Sequence, residues 1–501
     1  MNNGAEPAMR ARAEALLSAR DYPAAVGAYE VLLRQAPARG DDWFNLAHAL
    51  RHAGRFHDAL GAYAQALRHR VANPAEVHLN RAVIYSDHLA DDSAAERELM
   101  AALQLDPRHV AALLNLGLLY EERGDRASAV RCYERLLSLG GAAGGPALVE
   151  ASARLLPLST AASQDVTRLE ALHRMAGSAV RADPLTRANL YFALGRCHDE
   201  RGEIDAAFTS FARGKHLAHV MAAPYDAQRT ARIFGQIADA ATPLHHASRR
   251  ADAMPKPLFV CGMFRSGSTL VERVLDAHSQ IVAGGELEIL PRLVRTQLQP
   301  FPEALRAVGE REAADLAMRY RQQLPERLRS SSGAIRYFTD KRPDNFRLIG
   351  LVLQMFPAAR IVHTRRDALD NGLAIFMQNL NPRVFDYAGA LESIGDYYAH
   401  YDALMAHWKR LYPAQIHDFR YERFVAEPEK ELAALLSFLG LPMEAGCLNF
   451  HERPGVVKTA SFWQVRRPLH AQACGRGRRY RHHLQPLIAS LKRHGIEVDA
   501  G

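Results

Sequence analysis

Cysteine is scarce in this chain: five residues in 501, at positions 132, 197, 261, 447 and 474, with no Cys-x-x-Cys pair. That number and scatter exclude a disulfide framework and a cysteine-ligated zinc site, and they point to a reducing compartment. No run of about 18 apolar residues occurs, which excludes a helical membrane span. The first twenty residues lack the continuous apolar core of a secretory signal, so the expected location is cytoplasmic. Acidic residues are missing from one stretch. Between Thr459 and Arg493 there is no Asp or Glu, while Arg466, Arg467, Arg476, Arg478, Arg479, Arg481, Lys492 and Arg493 accumulate. Aromatic interleaving there is thin, so a phosphorylated small molecule fits this basic segment better than a nucleic acid. The remainder is of ordinary globular composition, 48% hydrophobic and 24% charged with a net charge of +8, and its length calls for two or three domains.

The N-terminal half repeats itself. Ala25 with Tyr29, Ala59 with Tyr63, Ala95 with Leu99 and Ala129 with Tyr133 share one spacing, and the alanines step by 34, 36 and 34 residues. Ala47, Ala82 and Gly117 supply a second small position upstream of the later pairs, and turns at Gly54 and Gly124 separate two helices within a repeat. A further copy runs through Gly195, Gly202, Ala207 and Phe211. A period near 34 with small residues where helices cross resembles the tetratricopeptide repeat. The expected domain spans 1–245 and is degenerate around 140–185, after the helix-breaking GGAAGGP. Such an α-solenoid presents a concave groove suited to a peptide or partner protein.

From 246 to 501 the pattern becomes α/β. Apolar runs at Leu258–Cys261, Ala359–His363 and Gln415–Tyr421 alternate with helical stretches at Thr269–His278, Asn345–Met355 and Glu429–Leu439. The alternation predicts a mostly parallel central sheet. After the first run comes Gly262-x4-Gly267-Ser268-Thr269, spaced like an NTPase P-loop, but Ser268 stands in the lysine's place and Arg265 lies inside the loop. A strand, a glycine turn and a helix start aim N–H groups and the positive end of a helix dipole at one point, which makes an anion cradle. Four later segments are notable: Gly284-Gly285-Glu286, Asp340-Lys341-Arg342-Pro343, His363-Thr364-Arg365-Arg366-Asp367, and Arg420-Tyr421-Glu422. The basic tail opens with Ser461-Phe462-Trp463-Gln464-Val465-Arg466-Arg467.

Taken in order, these motifs resemble sulfotransferases that use 3′-phosphoadenosine 5′-phosphosulfate (PAPS). The whole chain is similar to bacterial tetratricopeptide-repeat sulfotransferases, whose catalytic domain resembles protein-tyrosine sulfotransferases. The resemblance implies that Arg265, Ser266, Gly267, Ser268 and Thr269 hold the 5′-phosphosulfate. Glu286 is the implied catalytic base, with Glu288 as its rival. Arg265 and Lys341 stabilise the transferring group, and Arg366 binds the 3′-phosphate. Tyr421, Ser461, Gln464, Arg467 and Arg476 complete the nucleotide site, and Arg292 meets an acidic peptide acceptor. PAPS is the implied donor, and no metal is required. The chain departs from the pattern twice. Ala374 replaces a serine eight residues after Arg366, and Gly477 falls in a motif that usually ends in tryptophan.

The expected activity is sulfuryl transfer to a tyrosine of a peptide or protein. A carbohydrate or small-molecule hydroxyl is the alternative acceptor, and a homodimer is compatible with the chain. Two further classes stand beside it: a P-loop kinase or NTPase, against which the missing lysine counts, and a catalytically inactive repeat scaffold, which Ala374 and Gly477 favour. His363, after a strand, reads as a satisfied core histidine, and the pairs His245-His246 and His482-His483 lack the further ligands of a metal site.

Overall fold

The computed structural model describes residues 5–89, 91–139, 146–158, 170, 174, 183–220, 222–240, 255–329, 334–453, 464–466 and 468–498. It divides into two compact units, Met1–Ala162 and Ser163–Gly501.

The first unit is helical. Helices Ala5–Ser18 and Tyr22–Gln35, Gly40–His52 and Phe56–Arg68, Pro74–Val83 and Asp92–Leu105, and Val110–Arg123 and Arg126–Ser138 pack as successive pairs, followed by Pro146–Leu158. Asp21, Asn73, Asp91 and Asp125 start four of these helices by accepting the N–H three residues on, which satisfies an otherwise orphaned donor. The small–large pattern is what joins the pairs. Ala25, Ala59, Ala95 and Ala129 are fully buried, as are Tyr29, Tyr63 and Tyr133. A Cβ placed on Gly117 would lie 2.4 Å from the Tyr133 ring, so glycine is what lets the ring seat there. The degenerate copy expected over 140–185 lies largely outside the described residues, apart from the helix at 146–158.

The second unit begins with helices Pro184–Glu200, Ile204–His219 and Ala227–Asp239. Gly195 faces Phe211 as Gly117 faces Tyr133. The sequence places these helices with the repeats, up to 245; by their packing they belong to the same compact unit as the sheet. Their apolar faces explain the difference. Phe192, Phe211, Phe234 and Ile237 lie in one core with Phe259, Phe346, Tyr401 and Leu487, and Phe208 stacks on Phe376 at 5.3 Å.

The sheet has five parallel strands, β1 (Lys256–Gly262), β2 (Ile281–Val282), β3 (Tyr337–Lys341), β4 (Arg360–Arg365) and β5 (Ile416–Arg420), in the order β2-β3-β1-β4-β5. Alternate residues of β1 serve two cores. Phe259 and Cys261 face the core just described, while Leu258 and Val260 join Val274, Phe419 and Leu435 on the other face. The three expected strands are present as β1, β4 and β5, and β3 and the edge strand β2 complete the sheet. Ligands of open α/β sheets bind beyond the carboxyl ends of the strands where the order reverses. Here that place is the end of β1, between β3 and β4. Among the described residues no helix is long and apolar enough to cross a membrane.

Candidate active site

The loop after β1 turns sharply beneath β4. A Cβ on Gly262 would lie 2.3 Å from the Thr364 carbonyl oxygen, so only glycine fits. Thr364 Oγ1 donates to the Cys261 carbonyl (3.1 Å) and lies 2.6 Å from Ser266 Oγ, which ties the loop to β4. Arg265 adopts a φ of 68°, a left-handed conformation that costs energy for a residue with a Cβ. Gly267, at φ 104°, then opens the helix Ser268–Asp276. Gly267, Ser268 and Thr269 line a cavity of about 370 Å³ that the start of this helix faces.

Lys341 is the last residue of β3, level with Val260 of β1, and is 1% exposed. Its Nζ lies 2.6 Å from Glu286 Oε1, and Glu286 lines the cavity. Glu288 instead pairs with Arg342, outside the cavity lining, which separates the two rival acids. Arg292 is exposed on the helix Ile289–Gln297 and does not reach the cavity.

A buried polar layer supports the Gly284-Gly285-Glu286 turn. Gly284 N donates to Thr339 Oγ1 (3.0 Å), Gly285 N donates to Glu272 Oε1 (3.0 Å), and Thr339 Oγ1 donates to the same carboxylate (2.6 Å). Lys341 N closes the set on the Gly285 carbonyl at 2.9 Å. Burial pushes the Glu272 carboxyl up, and the Lys341 charge works against that shift. Asp340, fully buried beside Lys341, accepts from Tyr320 (2.6 Å) and Asn345 (3.1 Å); burial pushes its carboxyl up to about 7. Sequence reading missed both acids. For Glu272 the available signal was an acid set among Leu270, Val271, Val274 and Leu275 in the helix STLVERVLD.

Three guanidiniums converge on the cavity: Arg265, Arg366 and Arg476. Burial, and then the charges of Arg366 and Arg476, bring Arg265 down to about 10. Arg366 donates to the carbonyls of Ala473 (2.6 Å) and Arg265 (3.3 Å), and it lies 5.2 Å over the Tyr421 ring. Arg476 pairs with Asp199, which also accepts from Tyr480 at 2.7 Å. Asp370 holds the arm that carries Arg476, because its two oxygens accept Gly475 N and Gly477 N, each at 2.6 Å. Gly477 packs so closely on Leu369 that a Cβ would approach it at 2.7 Å. The departure at 477 is therefore a site of tight closure between the arm and the helix Ala368–Phe376. Ala374, the other departure, lines the cavity without a polar group.

The cavity thus gathers Arg265, Gly267, Ser268, Thr269, Glu286, Arg366, Tyr421 and Arg476. Ser266 lies behind the wall on Thr364, and Lys341 reaches the site through Glu286. Ser461, Arg467 and the side chain of Gln464 lie outside the described residues. His363 is a satisfied core residue. Its Nδ1 lies 2.7 Å from Asp418 and its Nε2 2.5 Å from the Tyr401 hydroxyl, and burial lowers its pKa.

Residues 257–445 match the sulfotransferase family, and residues 43–75 and 112–147 match the tetratricopeptide repeat. An uncharacterized protein of Aquifex aeolicus is 32% identical over 61% of this chain and 42% of its own length. Protein-tyrosine sulfotransferase 2 of Gallus gallus is 23% identical over 46% of this chain and 64% of its own. The chain therefore spans less than two thirds of either relative. A solved sulfotransferase domain from the Synechococcus PCC 7002 olefin synthase shares 17% identity over 50% of this chain and 99% of that domain, with a TM-score of 0.36. The sulfotransferase match runs from the start of the loop past β5, so it takes in Arg265, Glu286, Lys341, Arg366 and Tyr421. Arg476 and its arm lie beyond it.

Proposed function

We propose that this chain transfers a sulfuryl group from PAPS to an acceptor hydroxyl, and that the acceptor is a tyrosine of a peptide or protein. The observation that carries the reading is one cavity with three guanidiniums and a helix start on one side and the Glu286–Lys341 pair on the other. Against the three guanidiniums and Lys341 stand the acids Glu286, Asp370 and Asp199, so the site keeps an excess positive charge that favours an anion. A bisphosphorylated nucleotide bearing a sulfuryl group meets that demand. PAPS supplies the sulfuryl group as a mixed anhydride with its 5′-phosphate.

The residues then divide the work. Loop N–H groups and Arg265 take the phosphosulfate end, while Arg366 and Arg476 take the 3′-phosphate. Glu286, oriented by Lys341, accepts the acceptor's proton as its oxygen bonds to sulfur. The sulfur–oxygen bond to the 5′-phosphate breaks in line, and the departing negative charge faces Arg265, Lys341 and the loop amides. The product is adenosine 3′,5′-bisphosphate. Phe264 and Phe385, 5.1 Å apart, line the same cavity as Glu286 and favour an aromatic acceptor over a sugar. The repeat unit is assigned to binding the peptide or protein partner.

Two measurements test this. Adenosine 3′,5′-bisphosphate is expected to raise the melting temperature, while ATP with Mg²⁺ leaves it unchanged; the reverse result would sink the reading. In assays with PAPS and a tyrosine peptide, Arg265→Ala and Glu286→Ala are each expected to lower kcat by about 10²–10³-fold or more. Full turnover by either variant overturns that residue's role, and turnover of a saccharide but not the peptide overturns the acceptor.

A further inference from the structure

His482 and His483 are adjacent in sequence, and sequence alone offers them no further ligand. The fold brings Asp205, 277 residues away, to both of them. His482 Nε2 lies 2.8 Å and His483 Nε2 lies 2.7 Å from the same oxygen, Asp205 Oδ1. The three ligand atoms lie within 4.8 Å of one another. Asp205 stands in the first turn of the helix Ile204–His219, while the histidines follow the arm that carries Arg476. His483 stacks on Phe208 at 4.2 Å and 7°, which fixes the plane of its ring. The approach of the two imidazoles, His482 first, holds the Asp205 carboxyl below its usual range.

We propose that Asp205, His482 and His483 form a surface site for a divalent ion of borderline softness, with Zn²⁺ as the best fit. Two imidazoles and a carboxylate from two separate elements make a common three-ligand zinc set, and water fills the fourth position. Around Zn²⁺, with bonds of about 2.0–2.2 Å, tetrahedral ligand atoms stand roughly 3.3 Å apart. Each nitrogen–oxygen separation must therefore open by roughly 0.5 Å. Asp205 and His482 are free to make that adjustment, with side chains 81% and 60% exposed. The ion staples the Arg476 arm to the helix Ile204–His219 and takes no part in sulfuryl transfer. The site is independent of the proposed activity and stands whether or not that reading holds.

Calorimetric titration of the metal-stripped full chain with ZnCl₂ tests it. Wild type is expected to show a site that Asp205→Ala and His482→Ala each weaken roughly tenfold or more. Other histidines contribute equally to all three isotherms, so the difference isolates this site. Because both side chains are exposed, the variants are expected to keep the wild-type circular dichroism spectrum, and His483→Gln serves as a third variant that retains a polar group. Co²⁺ gives a second readout, since the intensity of its visible absorption reports tetrahedral coordination and should fall in every variant. Isotherms and Co²⁺ spectra shared by wild type and variants would overturn the proposal and leave the cluster as a hydrogen-bonded clamp.

Discussion

At the scale of single residues, several buried polar groups in the second unit are answered by partners far off in sequence, but the Lys215 ammonium is not. Lys215 is 2% exposed, its Nζ has no hydrogen-bond partner among the described residues, and it lies 5.8 Å over the Phe192 ring. Burial alone brings its pKa down to about 7. The unfolded chain holds that proton up to about pH 10.4. Between those values the unfolded state binds more protons, so this group makes stability rise with pH across that window. Below pH 7 the full cost of a buried charge applies. Lys215→Met, which keeps the length and removes the charge, is therefore expected to stabilise the protein by about 1–3 kcal/mol at pH 7. The gain should fade as the pH approaches 10. Thermal unfolding at the two pH values checks both sign and trend, and a lower melting temperature for the variant at pH 7 would refute the account. Gly477 makes the opposite point. Judged by the family pattern it is a lost aromatic, but in the fold it is the residue that allows the arm to lie against Leu369.

At the scale of elements, the arm 475–477 and the helix Ala368–Phe376 act together through Asp370. Asp370→Ala leaves Gly475 N and Gly477 N without their acceptor and frees the segment that presents Arg476. The affinity for adenosine 3′,5′-bisphosphate is expected to fall roughly tenfold, which corresponds to about 1.4 kcal/mol. With saturating PAPS, kcat should stay near wild type, because Asp370 touches neither the transferring group nor Glu286. A loss confined to kcat would contradict this positioning role. The loop from Gly262 to Thr269, β1, β4 and β5 were legible in the sequence because each is a local pattern: an apolar run, a glycine at a turn, a basic residue at a strand's end. Glu272, Asp340 and Asp370 were not. Each is an acid whose meaning comes from donors 67, 20 and 105 residues away that only the fold brings close. Asp205 was hidden for the same reason.

At the scale of the molecule, the helices 184–239 follow the repeat pattern and yet belong to the compact unit that carries the sheet. Their Gly195–Phe211 packing follows the same rule as the first unit, so periodicity assigned them to the repeats. Periodicity describes only the face where paired helices meet. The remaining faces carry Phe208, Phe234 and Ile237, which bury against Phe376, Phe346 and Tyr397 of the sheet-bearing part. Asp199, on the first of these helices, holds both Arg476 and Tyr480. Losing even one buried aromatic from such a core costs about 3–5 kcal/mol, a large share of the roughly 5–15 kcal/mol that keeps a domain folded. A fragment of residues 163–501 is therefore expected to unfold cooperatively and to keep the rise in melting temperature caused by adenosine 3′,5′-bisphosphate. A fragment of residues 246–501 should lack both the cooperative transition and the ligand response. Equal melting temperatures for the two fragments would show that the helices 184–239 contribute nothing to this core.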